Sequence, residues 1–250
     1  MNKVIINADD LGMNIRCTKA IAKAFAKGLV TDTTMMSTGE YFDGALELAR
    51  EQGFFDKIGI HLNLTEGIPL TEGIKKLERF VTNGRFNKSY NGTTPLSKAE
   101  EEAIYTELSA QVERLEKAGV KITHADSHHH IHTRKFIAPV AIKVCREHGI
   151  TKMRIKRSSA GFSAENSAEN ISFRQMLLDN GFKTADFFVY MVDIIKAEIP
   201  DNTEILVHPD FDRDGVLIDR RAMKDGTPSG YRLPNLAKLK HLQLTEYTFL

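Results

Sequence analysis

The chain has no tryptophan, only two cysteines and no long apolar run, and each shortage removes a class of answer. Cys17 and Cys145 permit one disulfide at most and no disulfide framework. No apolar segment approaches the roughly 20 residues needed to span a bilayer. The run Val4-Ile5-Ile6 does not read as a secretory leader either, because Asn7, Asp9 and Asp10 interrupt it almost at once. Neither sign of charge is in excess: 34 basic and 33 acidic side chains leave a formal +1, which gives no ground for nucleic acid or an anionic membrane as partner. Oligosaccharide clefts often use tryptophan platforms, so the lack of that residue disfavours a long sugar groove. A cytoplasmic protein is expected.

What the chain does hold in excess is histidine in one place. Five of its nine histidines (His124, His128, His129, His130 and His132) fall between Thr123 and His132. Imidazole is the commonest protein ligand for transition metals and titrates near neutral pH. The cluster sits in mid-chain after a strand-like segment, unlike a terminal tag, and points to a metal or catalytic site.

The surrounding pattern alternates strands and helices. Lys3 to Ala8 reads as a buried strand ending at Asp9-Asp10, and Thr18 to Lys27 as a helix stopped by Gly28. Val30 to Met36, a helix from Phe42 to Glu51, and a strand from Lys57 to Leu64 follow. Thr65 to Leu96 is irregular and glycine-punctuated, as a functional loop or lid would be. Ser97 and Glu100 form a capping box for a helix running to about Lys117. A strand from Val120 to Ala125 delivers the histidines, and a helix from Phe136 to His148, a short strand from Lys152 to Ile155 and an excursion from Ser158 to Asn170 come next. A helix around Phe173 to Asn180 and strands at Thr184 to Phe188 and Glu204 to Val207 complete the pattern. About seven strand–helix units in 250 residues favour an α/β fold, a closed or nearly closed parallel (β/α) barrel forming a single domain over residues 1–250.

Polar groups recur where strands end: Asp9-Asp10, His61, Asp126 to His132, and His208. In parallel barrels that end carries the active site. Adjacent side chains on a straight strand face opposite ways, so Asp9 and Asp10 can share a site only if the strand terminates there. One as metal ligand and the other as base is a natural division, since close carboxylates repel unless a cation separates them. Within the cluster, period-2 geometry groups Asp126, His128, His130 and His132, whereas a helical turn groups His128 with His132. His128 belongs to both, and His124, inside the strand, reads as structural or as a support behind the ligands. One carboxylate with two imidazoles suits Zn²⁺, Mn²⁺, Co²⁺ or Fe²⁺ better than Mg²⁺. The parts describe metal-assisted hydrolysis of an acyl or phosphoryl bond, with His208 placed to protonate a leaving group.

The motifs Asn7-Ala8-Asp9-Asp10-Leu11-Gly12, Gly59-Ile60-His61-Leu62 and Thr123 to His132, with Met153 to Arg157 and Val207-His208-Pro209, resemble the YdjC family of carbohydrate deacetylases, which includes diacetylchitobiose deacetylases. The resemblance covers residues 3 to 210. It implies a distorted (β/α) barrel, a divalent metal (zinc or magnesium first, manganese, cobalt or iron as alternatives), often a homodimer, and hydrolysis of an N-acetyl group from a mono- or oligosaccharide by metal-bound water. Carried over, Asp10, His61 and His128 match the metal ligands, Asp9 the base, Arg154 the arginine that orients the base, and His208 the acid. Related polysaccharide deacetylases take both histidines from one H-x-x-x-H-like motif, so His128 with His132 rivals His61 with His128. Beyond Phe211, including Asp212 to Gly215 and Lys224 to Pro228, no family pattern is visible. A phosphoesterase or amidohydrolase with similar ligands, and a sugar-binding protein without turnover, are the alternatives.

Overall fold

The computed structural model describes residues 2–158, 168–195, 198–221 and 232–250. Most of the expected excursion from Ser158 to Asn170, and all of Lys224 to Pro228, lie outside the described residues. The chain opens with β1 (Lys3–Leu11), α1 (Ile15–Ala26), β2 (Asp32–Met35), α2 (Phe42–Glu51) and β3 (Ile58–Leu62). Helix α1 begins three residues earlier than its apolar spacing suggests, because Asn14 caps it by accepting from the Cys17 amide.

The irregular stretch after β3 holds a short α3 (Glu72–Lys75) and a hairpin of β4 (Val81–Thr82) and β5 (Arg85–Phe86). It buries Ile74, Phe80, Val81, Phe86 and Tyr90 into the common core, and is tied down where Glu107 accepts from the Leu70 and Thr71 amides. Glu107 belongs to α4 (Lys98–Lys117), whose start carries the expected capping box between Ser97 and Glu100. Then come β6 (Ala125–Ser127), a 3-10 segment His128–Thr133, α5 (Ala138–Glu147), α6 (Ala168–Asp179) and β7 (Phe187–Tyr190). A 3-10 segment Met191–Ile195, β8 (Thr203–Val207), a hairpin of β9 (Pro209–Phe211) and β10 (Leu217–Asp219), a 3-10 segment Leu233–His241 and β11 (Gln243–Leu244) close the order.

The main sheet is all-parallel, in the order β6-β3-β2-β1-β8-β7, with β11 added beside the start of β1. Every residue of β2, β3 and β8 is buried, as expected of strands covered on both faces. The sheet curls into an open barrel. Between its edges the expected strand at Lys152 to Ile155 appears only as single bridges, Met153 to Ala125 and Lys152 to Lys183. Its amides alternate partners there: Met153 donates to Lys183 and Arg154 to Ala125, so neither side forms a ladder. The barrel is therefore distorted and incompletely closed. Both cysteines are free and buried, and no described helix is long and apolar enough to cross a membrane.

Asp32, at the start of β2, is buried and accepts from the Thr31 hydroxyl and the Tyr247 amide. Burial pushes its pKa up to about 7, whereas an unfolded aspartate titrates near about 4. The folded state thus holds a proton the unfolded state releases. That contribution to stability is complete below about pH 4 and is lost as pH rises through about 7. Asp32→Asn can accept from the Tyr247 amide on its carbonyl oxygen and donate its amide to the Thr31 hydroxyl, whose proton turns to the Ile6 carbonyl. It is expected to flatten the fall in melting temperature between pH 4 and 7 and to raise the melting temperature at pH 8. Thermal melts showing the same pH slope in both proteins would refute the assignment.

Candidate functional site

Strand β1 does not end at the carboxylate pair, as the sequence suggests; it continues to Leu11 through a bulge. Its pairing with β2 is regular at Asn7–Asp32 and Ala8–Thr33, then slips by one residue before Leu11–Met35. Asp10 takes up the extra residue at φ 74, in the left-handed region that aspartate tolerates better than most. The bulge breaks the alternation of the strand, and both carboxylates face one cleft of about 170 Å³ at the C-terminal end of the sheet.

A second backbone break fans out the histidines. His129 and His130 have φ values of 52 and 54, so neither the period-2 nor the i, i+4 arrangement is realised. His128 turns Nδ1 to Asp10 Oδ1 at 2.8 Å and Nε2 to Glu66 Oε2 at 3.0 Å. His129 meets Thr65 Oγ1 at 2.8 Å, and His130 meets the Tyr190 hydroxyl at 2.8 Å. His132 lies behind, between the Ser127 hydroxyl and the Arg154 carbonyl, with both ring nitrogens committed. His124 bonds Asn7 and stacks on Tyr247 with ring centroids 3.7 Å apart.

Asp10 is the meeting point. Its Oδ1 lies 3.1 Å from His61 Nε2 as well as 2.8 Å from His128 Nδ1. The other nitrogen of His61 faces Asp126 Oδ1 at 2.6 Å, and Thr34 donates to Asp126 Oδ2 at 3.0 Å. A carboxylate behind an imidazole is the usual way to orient a metal-ligating histidine. Burial would lower the pKa of His61, but Asp126, Asp10 and Asp9 outweigh it and carry it up to about 10. His128 also rises, because Asp10 and Glu66 outweigh its burial. His130 and His132 go the other way: burial, reinforced by Arg154, holds His130 well below the usual range and His132 at about 3. Positive charge is thus favoured at one vertex of the cleft, where a carboxylate oxygen and two imidazole nitrogens converge. That donor set fits a divalent cation of the zinc, manganese, cobalt or iron type. Two further groups, Glu66 with His128 and His129, and Asp9 with His61 and Asp126, share these residues. In the second, Asp9 and Asp126 are already engaged by Arg154.

Arg154 is fully buried and grips Asp9 with two parallel bonds, Nη1 to Oδ2 and Nη2 to Oδ1, both 2.7 Å. Its Nη1 also lies 2.6 Å from Asp126 Oδ2, and its Nε donates to Glu204 Oε1 at 2.7 Å. Burial would raise the pKa of Asp9, but Arg154 overrides it, and the carboxylate stays ionised. Asn7 donates to the same side chain at 2.8 Å. His208, between β8 and β9, lines the cleft; its Nδ1 is buried without a hydrogen-bond partner, 3.9 Å from Asp219 Oδ1. Burial lowers its pKa against the pull of Asp219.

Several cleft residues escape the sequence reading. Arg220 donates to Asp10 Oδ2 at 3.2 Å and to Cys17 Sγ at 3.2 Å, and the Arg221 guanidinium lies 3.6 Å over the Tyr190 ring. Both come from the segment beyond Phe211, which has no periodicity to place it. Glu66 opens the irregular stretch, where no register marks which way a side chain turns. Glu204 did leave a signal: an acid inside the apolar strand Thr203–Val207 needs a buried partner. A larger hollow of about 480 Å³ between α5 and α6, lined by Ile142, Arg146 and Met176 among others, contains none of these groups.

A "Carbohydrate deacetylase" of Brevibacillus brevis is 32% identical over 98% of this chain and 92% of its own length. "Carbohydrate deacetylase 1" of Listeria innocua is 33% identical over 84% and 82%, and a "Carbohydrate deacetylase" of Vibrio parahaemolyticus 31% identical over 84% and 78%. A crystal structure from Enterococcus faecalis V583, provisionally named a cellobiose-phosphate cleavage protein, superposes with a TM-score of 0.71 at 26% identity, covering 98% of this chain and 97% of that one. The profile of the YdjC-like proteins matches residues 3–250, and the chain belongs to that family.

Proposed function

We propose that the protein is a carbohydrate deacetylase that hydrolyses the N-acetyl group of acetylated mono- or oligosaccharides of the chitobiose type, with a divalent cation held by Asp10, His61 and His128. The observation that carries this reading is the convergence of the two imidazoles on Asp10 Oδ1, beside a second carboxylate locked by an arginine. The carbohydrate deacetylase names of the relatives support the substrate class. When bound, the cation supplies a Lewis-acidic centre that acidifies water and polarises the acetyl carbonyl.

The remaining chemistry falls to side chains of the cleft. Asp9 takes the proton of the attacking water. So acidic a carboxylate is a weak base, so its contribution comes from position, which Arg154 and Asn7 fix. His208 hands a proton to the departing amine, and Asp219 steadies the imidazolium that re-forms afterwards. Acetate and the free amino sugar leave. Residence in the cytoplasm and a homodimer complete the proposal; sedimentation equilibrium giving a monomer would remove the second.

Acetate release from diacetylchitobiose and a panel of acetylated sugars, with and without a phosphate, is expected to stop on treatment with a chelator and to return with Zn²⁺ or another divalent ion. Release that persists after the metal is stripped would sink the metal-dependent reading. Asp9→Asn should lower kcat by about 100-fold or more while metal content stays unchanged. His128→Ala should lose the metal, whereas His132→Ala should keep it despite a lower melting temperature. Equal metal contents in these two variants would overturn the ligand assignment.

A further inference from the structure

Behind Asp9 lies a set of groups that the reaction does not touch. Arg154 Nε donates to one oxygen of Glu204, and the other oxygen accepts from the Tyr247 hydroxyl. Glu204 is fully buried on β8, in register with Ile5 of β1. An apolar residue would fill that position without the desolvation cost of a carboxylate, so the acid is there for what it holds.

Tyr247 comes from the far end of the sequence. It follows β11, which pairs with Lys3 and Val4 at the start of β1. The residue is fully buried, its ring stacks on His124, and its amide donates to Asp32 Oδ1 at 3.2 Å. The stack, the main-chain bond and the hydroxyl fix the residue, and the hydroxyl ends an unbroken buried chain: Tyr247 to Glu204 to Arg154 to Asp9.

We propose that Tyr247 is a positioning residue for the carboxylate of Asp9, acting through Glu204 and Arg154. The inference rests on the reading of Asp9 as the base. Burial pushes the pKa of Glu204 up to about 7, against Arg154 and the Tyr247 hydroxyl. Without the hydroxyl, one oxygen of Glu204 is left buried and unpaired, the group takes up a proton, and Nε of Arg154 faces a neutral acid. The bond from Nε then loses its charge assistance from the acid, because a neutral acid accepts only through its carbonyl oxygen, and the fork that aims Asp9 loosens. The branch towards the metal ligands has anchors besides Arg154, because Thr34 donates to Asp126 and Asp126 faces His61, and the Nη1 that reaches Asp126 is not the nitrogen that loses its charged partner. Asn7 still holds one oxygen of Asp9, so the loss is partial.

Tyr247→Phe keeps the stacked ring and removes only the hydroxyl. It is expected to lower kcat about tenfold, with KM and metal content at wild-type values. Glu204→Gln should act on the same step, so the double variant should be no slower than the slower single one. A second readout does not depend on turnover: the Nε–H resonance of Arg154 in protein labelled with ¹⁵N-arginine should shift and exchange faster in Tyr247→Phe. Full kcat in Tyr247→Phe, additive losses in the double variant, or a loss of kcat matched by loss of metal would each overturn the inference. If the wild-type protein releases no acetate from any saccharide, the proposed function falls, and an unchanged Arg154 resonance in Tyr247→Phe would then overturn the positioning role separately.

Discussion

The burial of Arg154 is the constraint on which the rest of the cleft depends. A guanidinium with no solvent contact is tolerated only if its nitrogens are met, and here Asp9, Asp126 and Glu204 reach all three, while the guanidinium carbon lies 4.7 Å from the centroid of the Phe188 ring. Those three acids come from β1, β6 and β8, so one cation fixes the relative placement of three strands. The arrangement is an interlocked network, and loss of the arginine would leave three buried carboxylates uncompensated. Two of the three also face the reaction side: Asp9 directly, and Asp126 through His61.

The same charges sort the histidines. The rings differ in the sign of their pKa shift according to whether carboxylates or the Arg154 guanidinium weigh more on them. His61 and His128 stand against acids and gather positive charge; His130 and His132 stand near Arg154 and remain neutral. The density of imidazoles in the sequence is therefore a poor guide to how many act at one centre.

Much of the fold could be read from periodicity, because parallel strands covered on both faces leave continuous apolar runs, and helix α4 announces its start with Ser97 and Glu100. The strands at both edges of the barrel gap were less legible. The histidine-bearing strand is set at Ala125–Ser127 rather than Val120 to Ala125, since residues before it bond β3 only at intervals. In the cleft, the sequence brought Asp9, Asp10, His61, His128, Arg154 and His208 together as candidates, and all six line it or, for Arg154, stand directly behind it. It could not show how adjacent aspartates share a face, because that depends on one left-handed residue. Nor could it show Glu66, Arg220 and Tyr247, whose segments carry no repeating pattern.

That left-handed residue places the two demands on β1 in opposition. A straight strand would pair β2 without a slip and relieve the backbone at Asp10, giving a more regular sheet. It would also turn one of the two carboxylates away from the cleft. Sequence changes that improve the sheet at this point therefore select against the chemistry, and a search for stabilised variants scored on folding alone would drift towards inactive proteins through this one position.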